Sequence, residues 1–136
     1  MRTLIAGAVL CLFALPAGSA LGAEVKLPKT LTTPTGNFIT LYAVSIALGH
    51  ASLDVKVCTS AHTPPGTMVM PSFYSLRLSS GSTLEPGASV KAPALGMVPL
   101  GPRQCARGWL SFTVPRGATP TALVYTFGRP IVWKLG

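Results

Sequence analysis

Three side chains near the middle of the chain have the types needed to cleave a bond. His50, Ser52 and Asp54 offer a base, a nucleophile and an acid at i, i+2 and i+4, and a strand would set all three on one face. The spacing argues against that chemistry. Neighbours two apart on a strand stand about 6–7 Å from each other with parallel side chains, whereas a working base must touch its nucleophile. No G-x-S-x-G elbow accompanies them. Metal binding fares little better. His50, His62 and Asp54 are the available donors, with no H-x-x-x-H pair, no H-E-x-x-H pair and no cysteine cluster. The acids are three in all, Glu24, Asp54 and Glu85, which is too few for paired-carboxylate glycosidase work. No glycine-rich loop opens a helix after a strand, so no nucleotide fingerprint is present. These shortages point to a protein that is not an enzyme and takes no metal or cofactor. The alternative is a small secreted hydrolase or metal-binding enzyme built on His50, Ser52 and Asp54.

The most distinctive local motif is Arg103-Gln-Cys105-Ala-Arg107-Gly-Trp109. Two forked donors and an indole face suit an anion or a glycan. The same residues also suit a loop pinned by a disulfide, with Trp109 lying over the bridge. Charge favours an anionic partner. The chain carries 11 Lys and Arg against 3 acids, a net +8. After Glu85 no acid follows, but Lys91, Arg103, Arg107, Arg116, Arg129 and Lys134 do. A one-signed surface attracts polyanions. The expected partner is an anionic envelope polymer or another protein, met through Arg103, Arg107, Arg116 and Arg129. Nucleic acid is not expected, because neither a recognition helix nor an aromatic sheet face interleaved with Lys and Arg is apparent. A further reading is a purely structural surface antigen with no small ligand.

The elements that position these residues begin after residue 23. Before it, Arg2 is followed by an unbroken apolar run over residues 4–15, then by Pro16-Ala-Gly-Ser-Ala20-Leu-Gly-Ala23. This is the three-part layout of a secretory signal peptide, ending at Ala23 or Ala20. The run is shorter than the roughly 20 residues a membrane span needs, and no later stretch reaches that length. A secreted, extracellular protein without a transmembrane anchor is therefore expected. Cleavage removes Cys11 and leaves Cys58 and Cys105, an even count in an oxidising compartment, which reads as one disulfide. A redox role would want a C-x-x-C, and none occurs.

Charged residues make up only 10% of the chain, against a usual ~25%, while 13 Pro and 14 Gly punctuate it throughout. That pattern suits many short strands. Residues 24–36 read as an extended leader and residues 37–136 as the domain. Residues 37–48 are apolar on both alternating sets, as in a strand buried on both sides or a bent one. Residues 51–58 alternate, with Leu53, Val55 and Val57 on one face and Ser52, Asp54, Lys56 and Cys58 on a half-solvated other. Pro71 kinks or edges the next run, after which Tyr74, Leu76 and Leu78 point one way. Residues 79–82 turn a hairpin toward Thr83 and Leu84. Within 85–102 only Val90 and Met97-Val98 suggest short strands. Three clearer strands close the chain, with inward sets Leu110, Phe112, Val114; Leu123, Tyr125, Phe127; and Ile131, Trp133, Leu135. About seven short strands and no amphipathic helix predict an all-β, antiparallel sandwich.

The chain resembles a set of small exported actinobacterial domains, the secreted mycobacterial immunogenic proteins and telokin-like domains. The likeness lies in Asp54-Val-Lys-Val-Cys58, Pro71-Ser-Phe-Tyr-Ser-Leu-Arg-Leu78, Gly108-Trp-Leu-Ser-Phe-Thr-Val-Pro115 and Leu123-Val-Tyr125 followed by Ile131-Val-Trp133. The resemblance implies an immunoglobulin-like sandwich over residues 37–136 and a place outside the cell or on its surface. It carries no catalytic residues across.

Overall fold

The clean alternation of residues 51–58 forms the middle of the first sheet. In the computed structural model, which describes residues 26–47 and 49–136, strand β3 (His50–Cys58) turns Ala51, Leu53, Val55 and Val57 inward. It is flanked by β2 (Phe38–Ala47) on one side and β8 (Cys105–Thr113) on the other, both antiparallel. Strand β1 (Lys29–Thr32) pairs with β2 and completes a sheet of order β1-β2-β3-β8. The signal peptide expected over residues 1–23 lies outside the described residues.

The second sheet has order β10-β9-β5-β6, built from β5 (Tyr74–Leu78), β6 (Thr83–Leu84), β9 (Pro120–Tyr125) and β10 (Ile131–Lys134). A third, two-stranded piece pairs β4 (Thr67–Val69) with β7 (Val98–Leu100). Every strand pairing is antiparallel. The fold is all-β, as the composition predicts. The two larger sheets face each other over one core. Ile39, Leu41, Leu53, Val55, Leu110 and Phe112 come from the first sheet, and Tyr74, Leu76, Leu123 and Trp133 from the second. Each fully buried large apolar side chain contributes roughly 1.5–3 kcal/mol relative to exposure.

The topology is immunoglobulin-like. Strands β2, β3 and β8 take the A, B and E positions of one sheet, and β5, β9 and β10 the C, F and G positions of the other. Ten strands occur among the described residues, more than the seven or so that alternation suggests. The additional ones are short. Strands β1, β4, β6 and β7 hold only four, three, two and three residues. Strand β1 falls inside the segment read as a leader. Its carbonyl at Lys29 accepts a bond from the indole Nε1 of buried Trp133 at 3.3 Å, which ties the start of the domain to its last strand.

Strand β2 is bent rather than doubly buried. The register shifts between Leu41 and Ala43, so Tyr42 is the extra residue of a bulge. At Pro71 the chain makes a single 3-10 turn (Pro71–Phe73) between β4 and β5, because proline removes a ladder donor. Val98 belongs to β7, whereas Val90 and Met97 lie outside strands and are exposed. Phe127 is not an inward strand residue either. Strand β9 stops at Tyr125, and Phe127 sits exposed in the following turn.

The outward face of β3 is the main departure from expectation. Ser52 and Asp54 are buried, as is Ser111 opposite Ser52. Ser52 is met by Ser111 and Asp54 by Arg107, while residues 87–95 wrap the free edge of β8 over Ser111 and Trp109. Gly87 donates to the Ser111 carbonyl, Val90 N–H donates to Ser111 Oγ at 3.1 Å, and Trp109 N–H donates to the Pro93 carbonyl. Leu95 then enters the core. This route requires Gly108, because a Cβ there would stand 2.7 Å from the Ala94 carbonyl oxygen. Proline and glycine suppress any alternation in 85–102, so periodicity cannot reveal a covering segment there.

Candidate functional site

Two places gather side chains able to recognise something. The first is the outward face of the β1-β2-β3-β8 sheet. Register sets Asp54 opposite Trp109, Lys56 opposite Arg107 and Cys58 opposite Cys105. Arg107 reaches diagonally to Asp54 and grips it with two bonds, Nε to Oδ1 at 3.1 Å and Nη2 to Oδ2 at 2.8 Å. The guanidinium also lies 4.0 Å over the Tyr42 ring centroid, and Lys91 Nζ lies 4.5 Å over Trp109. Hydrogen bonding to the Asp54 carboxylate raises the Arg107 guanidinium still further above its ordinary pKa. Asp54 is 8% exposed, so its charge is held in the sheet by this single bidentate partner. Tyr42, the residue at the β2 bulge, meets Arg107 on this face.

Cys58 and Cys105 form a disulfide between directly opposed residues, with Cα atoms 4.1 Å apart. Immunoglobulin domains of antibodies join the B and F strands across the core. Here the bond joins the B and E positions within one sheet and faces outward. Trp109 shares that face but sits opposite Asp54, four residues from Cys105 along β8, under the ammonium of Lys91.

The second place is the end of the sandwich near that disulfide. A cavity of about 290 Å³ opens there between the sheets. Val57 and Val69 line its interior, four aromatic rings line its side (Phe73, Tyr74, Tyr125, Phe127), and Met68 and His62 also border it. The rings form one cluster. Phe73 meets Tyr125 edge-on with centroids 6.1 Å apart and lies 4.6 Å from Phe127, and Tyr74 meets Tyr125 edge-on at 5.3 Å. Polar groups around the cavity are mostly engaged. Thr63 Oγ1 donates to Asn37 Oδ1 at 3.1 Å and accepts from Ser60 N–H, and Thr59 Oγ1 donates to the Gly101 carbonyl at 2.6 Å. The Tyr74 hydroxyl is the exception. Tyr74 is 1% exposed, and its oxygen is the one buried side-chain polar atom without a hydrogen-bond partner among the described residues. Burial, followed by the neighbouring Tyr125, pushes the Tyr74 phenol well above its ordinary pKa, and burial also raises Tyr125.

The residues singled out in the sequence are only partly united. His50, Ser52 and Asp54 share the outward face of β3, yet Ser52 and Asp54 are engaged by other residues. Ser52 Oγ lies 3.2 Å from Ser111 Oγ, and Asp54 is taken by Arg107. His62 sits in the exposed loop after β3, and no group of three or more His, Cys, Asp or Glu gathers among the described residues. The four arginines are dispersed. Arg107 is the ion-paired one. Arg103, in the loop before β8, and Arg129, in the β9–β10 turn, leave the end that carries the cavity, while Arg116 lies in the β8–β9 turn at the other end. All three are exposed. The aromatic cavity has little sequence signature. Alternation places Tyr74 in the core, but only folding brings residues 57–69, 73–74 and 125–127 around one space.

Fold and site together define an immunoglobulin-like sandwich with an outward disulfide and an apolar opening at one end. No family model matches the chain, and no curated protein matches it. Among solved structures, the yjhA protein from Bacillus subtilis is similar, with a TM-score of 0.60 at 14% identity over 79% of this chain and 96% of that one. The likeness concerns the fold.

Proposed function

We propose that the chain is an exported, non-catalytic recognition domain that meets an anionic partner, an envelope polymer or an acidic face of another protein, through Arg103, Arg116 and Arg129. One observation carries this reading. The described residues hold two acids, Asp54 and Glu85, and Asp54 is consumed by Arg107, so the exposed arginines are left without acidic neighbours in an ion pair. Unbalanced positive charge on exposed loops is what draws a polyanion. Arg107 is removed from the contact set, because its fork is already matched by a carboxylate. Export is supported by the leading apolar segment and by the disulfide, a bond that persists outside reducing compartments. No helix among the described residues is long and apolar enough to cross a membrane.

Retention on immobilised polyphosphate across a salt series tests the reading. Because any basic protein is retained to some degree, the comparison uses variants of equal charge. Alanine at Arg103 and Arg129 together should weaken retention more than alanine at Arg77 and Lys134, which project from the second sheet. Equal loss from both pairs, or retention insensitive to salt, refutes it.

A further inference from the structure

The cavity at the end of the sandwich is free of ionic side chains inside and bordered by cations outside. Its volume is about 290 Å³, and its lining holds no Asp, Glu, Lys or Arg. An apolar cavity of ~150 Å³ accepts benzene, with six carbons, so this one has room for roughly ten to twelve. Phe127 and Met68, at 55% and 38% exposure, keep apolar surface in view of solvent at its mouth. The Tyr74 hydroxyl is sealed within the wall and offers nothing to an occupant. Two of the exposed arginines rise from the segments that build this mouth. The loop carrying Arg103 is tied to the lining residue Thr59, whose Oγ1 donates to the Gly101 carbonyl at 2.6 Å and accepts from Gln104 N–H at 2.9 Å. Arg103 N–H itself donates to the Ser60 carbonyl at 3.2 Å. Arg103 is also the one non-glycine residue with a left-handed backbone among the described residues, at φ 54°. Non-glycine residues seldom adopt that conformation, and the surrounding bonds must hold it. Arg129 lies two residues beyond the lining residue Phe127, in the same turn. Neither arginine forms an ion pair among the described residues.

We infer that the anionic partner is a single-chain amphiphile, whose apolar tail of roughly ten to twelve carbons seats in the cavity while its anionic head meets Arg103 and Arg129 at the mouth. The tail follows from the lining, which is rich in apolar and aromatic side chains and carries no cation to hold an ion inside. The sign of the head follows from the two arginines, and a head left at the mouth keeps its contact with water. One chain follows from the volume. The inference rests on the reading of Arg103 and Arg129 as anion contacts, and it adds the tail.

The test titrates the full chain with straight-chain carboxylates below their micelle concentrations. Methionine-methyl NMR follows Met68 in the lining, with exposed Met97 outside it as the internal control. Decanoate should move Met68 saturably and leave Met97 in place, whereas acetate, the same head without a tail, should move neither. From hexanoate to decanoate the affinity should rise by up to about fourfold per added methylene, the effect of burying each one. Arg103→Asn together with Arg129→Ala should weaken decanoate at least about threefold and leave 1-decanol unchanged; asparagine is chosen because it tolerates the left-handed backbone. Met68→Trp, a change at the mouth, should weaken both probes in calorimetry and leave retention on polyphosphate intact. No saturable Met68 shift, an affinity indifferent to chain length, or equal losses for decanoate and 1-decanol in the arginine variant would overturn the inference. Polyphosphate retention that falls in the arginine variant while Met68 never responds refutes the tail alone. An arginine variant unchanged toward both polyphosphate and decanoate refutes the anion contacts themselves, and the inference with them.

Discussion

Removing one oxygen from the core should make the ligand-free protein more stable. In Tyr74→Phe the phenyl ring and its packing against Tyr125 remain, and only the hydroxyl goes. That hydroxyl is buried and bonded to nothing, so its desolvation, about 1–3 kcal/mol, is uncompensated in the folded state. The void left by a single oxygen returns only a few tenths of a kcal/mol at ~24 cal/mol per Å³. The net gain is about 1 kcal/mol, or a rise in Tm of roughly 4–8 °C for a domain of this size. Urea unfolding at neutral pH measures it, with the slope expected to be unchanged. A second signature lies in alkali. An unfolded tyrosine titrates near 10, whereas the folded Tyr74 phenol holds its proton to higher pH. Above pH 10 the unfolded chain therefore binds fewer protons than the folded one, and stability falls by up to about 1.4 kcal/mol per pH unit on account of this residue. Below pH 10 the residue contributes no slope. Tyr74→Phe should flatten the alkaline limb by that amount. A loss of 1 kcal/mol or more at neutral pH would refute the reasoning, since it would show that the hydroxyl is satisfied in the folded protein.

Other consequences follow from the first sheet. Arg107→Ala should destabilise the domain more than Asp54→Ala in urea unfolding, because the first strands a nearly buried carboxylate while the second frees a half-exposed guanidinium to water; the reverse order would refute the view that Asp54 depends on Arg107 to hold its charge in the sheet. Gly108→Ala should cost about 1–3 kcal/mol or more by forcing residues 94–95 off the edge of β8, visible as lost amide protection at Trp109 and Leu95. Breaking the disulfide with Cys58→Ser and Cys105→Ser together should lower stability by up to about 4 kcal/mol on the chain-entropy account of a loop closed by residues 47 apart. The unaltered protein should show no free thiol at these two positions before reduction.

The strands with strict alternation were legible before folding, and for a definite reason. In β3, β5, β8 and β10 a period of two is written in residue type, so the inward sets of Leu53, Val55 and Val57, of Tyr74, Leu76 and Leu78, and of Leu110 and Phe112 follow from local chemistry alone. The pairing of Cys58 with Cys105 was legible as well, because these are the two cysteines outside the leading apolar segment. Net charge and the scarcity of catalytic types are likewise properties of composition, independent of shape.

What tertiary structure decided is everything that depends on which segments become neighbours. Folding brought Tyr42 of β2 beneath Arg107 of β8, a contact that no spacing along the chain encodes. The irregular segment 87–95 closed along β8 over Ser111 and Trp109, and nothing in the sequence announced it, because backbone donors and a missing Cβ at Gly108 carry no periodic signal. The same holds for the aromatic opening. Phe73, Tyr74, Tyr125 and Phe127 come from two stretches about fifty residues apart in sequence, and a cavity is a relation between surfaces, not a property of any one stretch. Local order was set by side-chain type; the sites came from packing, which acts between residues that the chain itself keeps far apart.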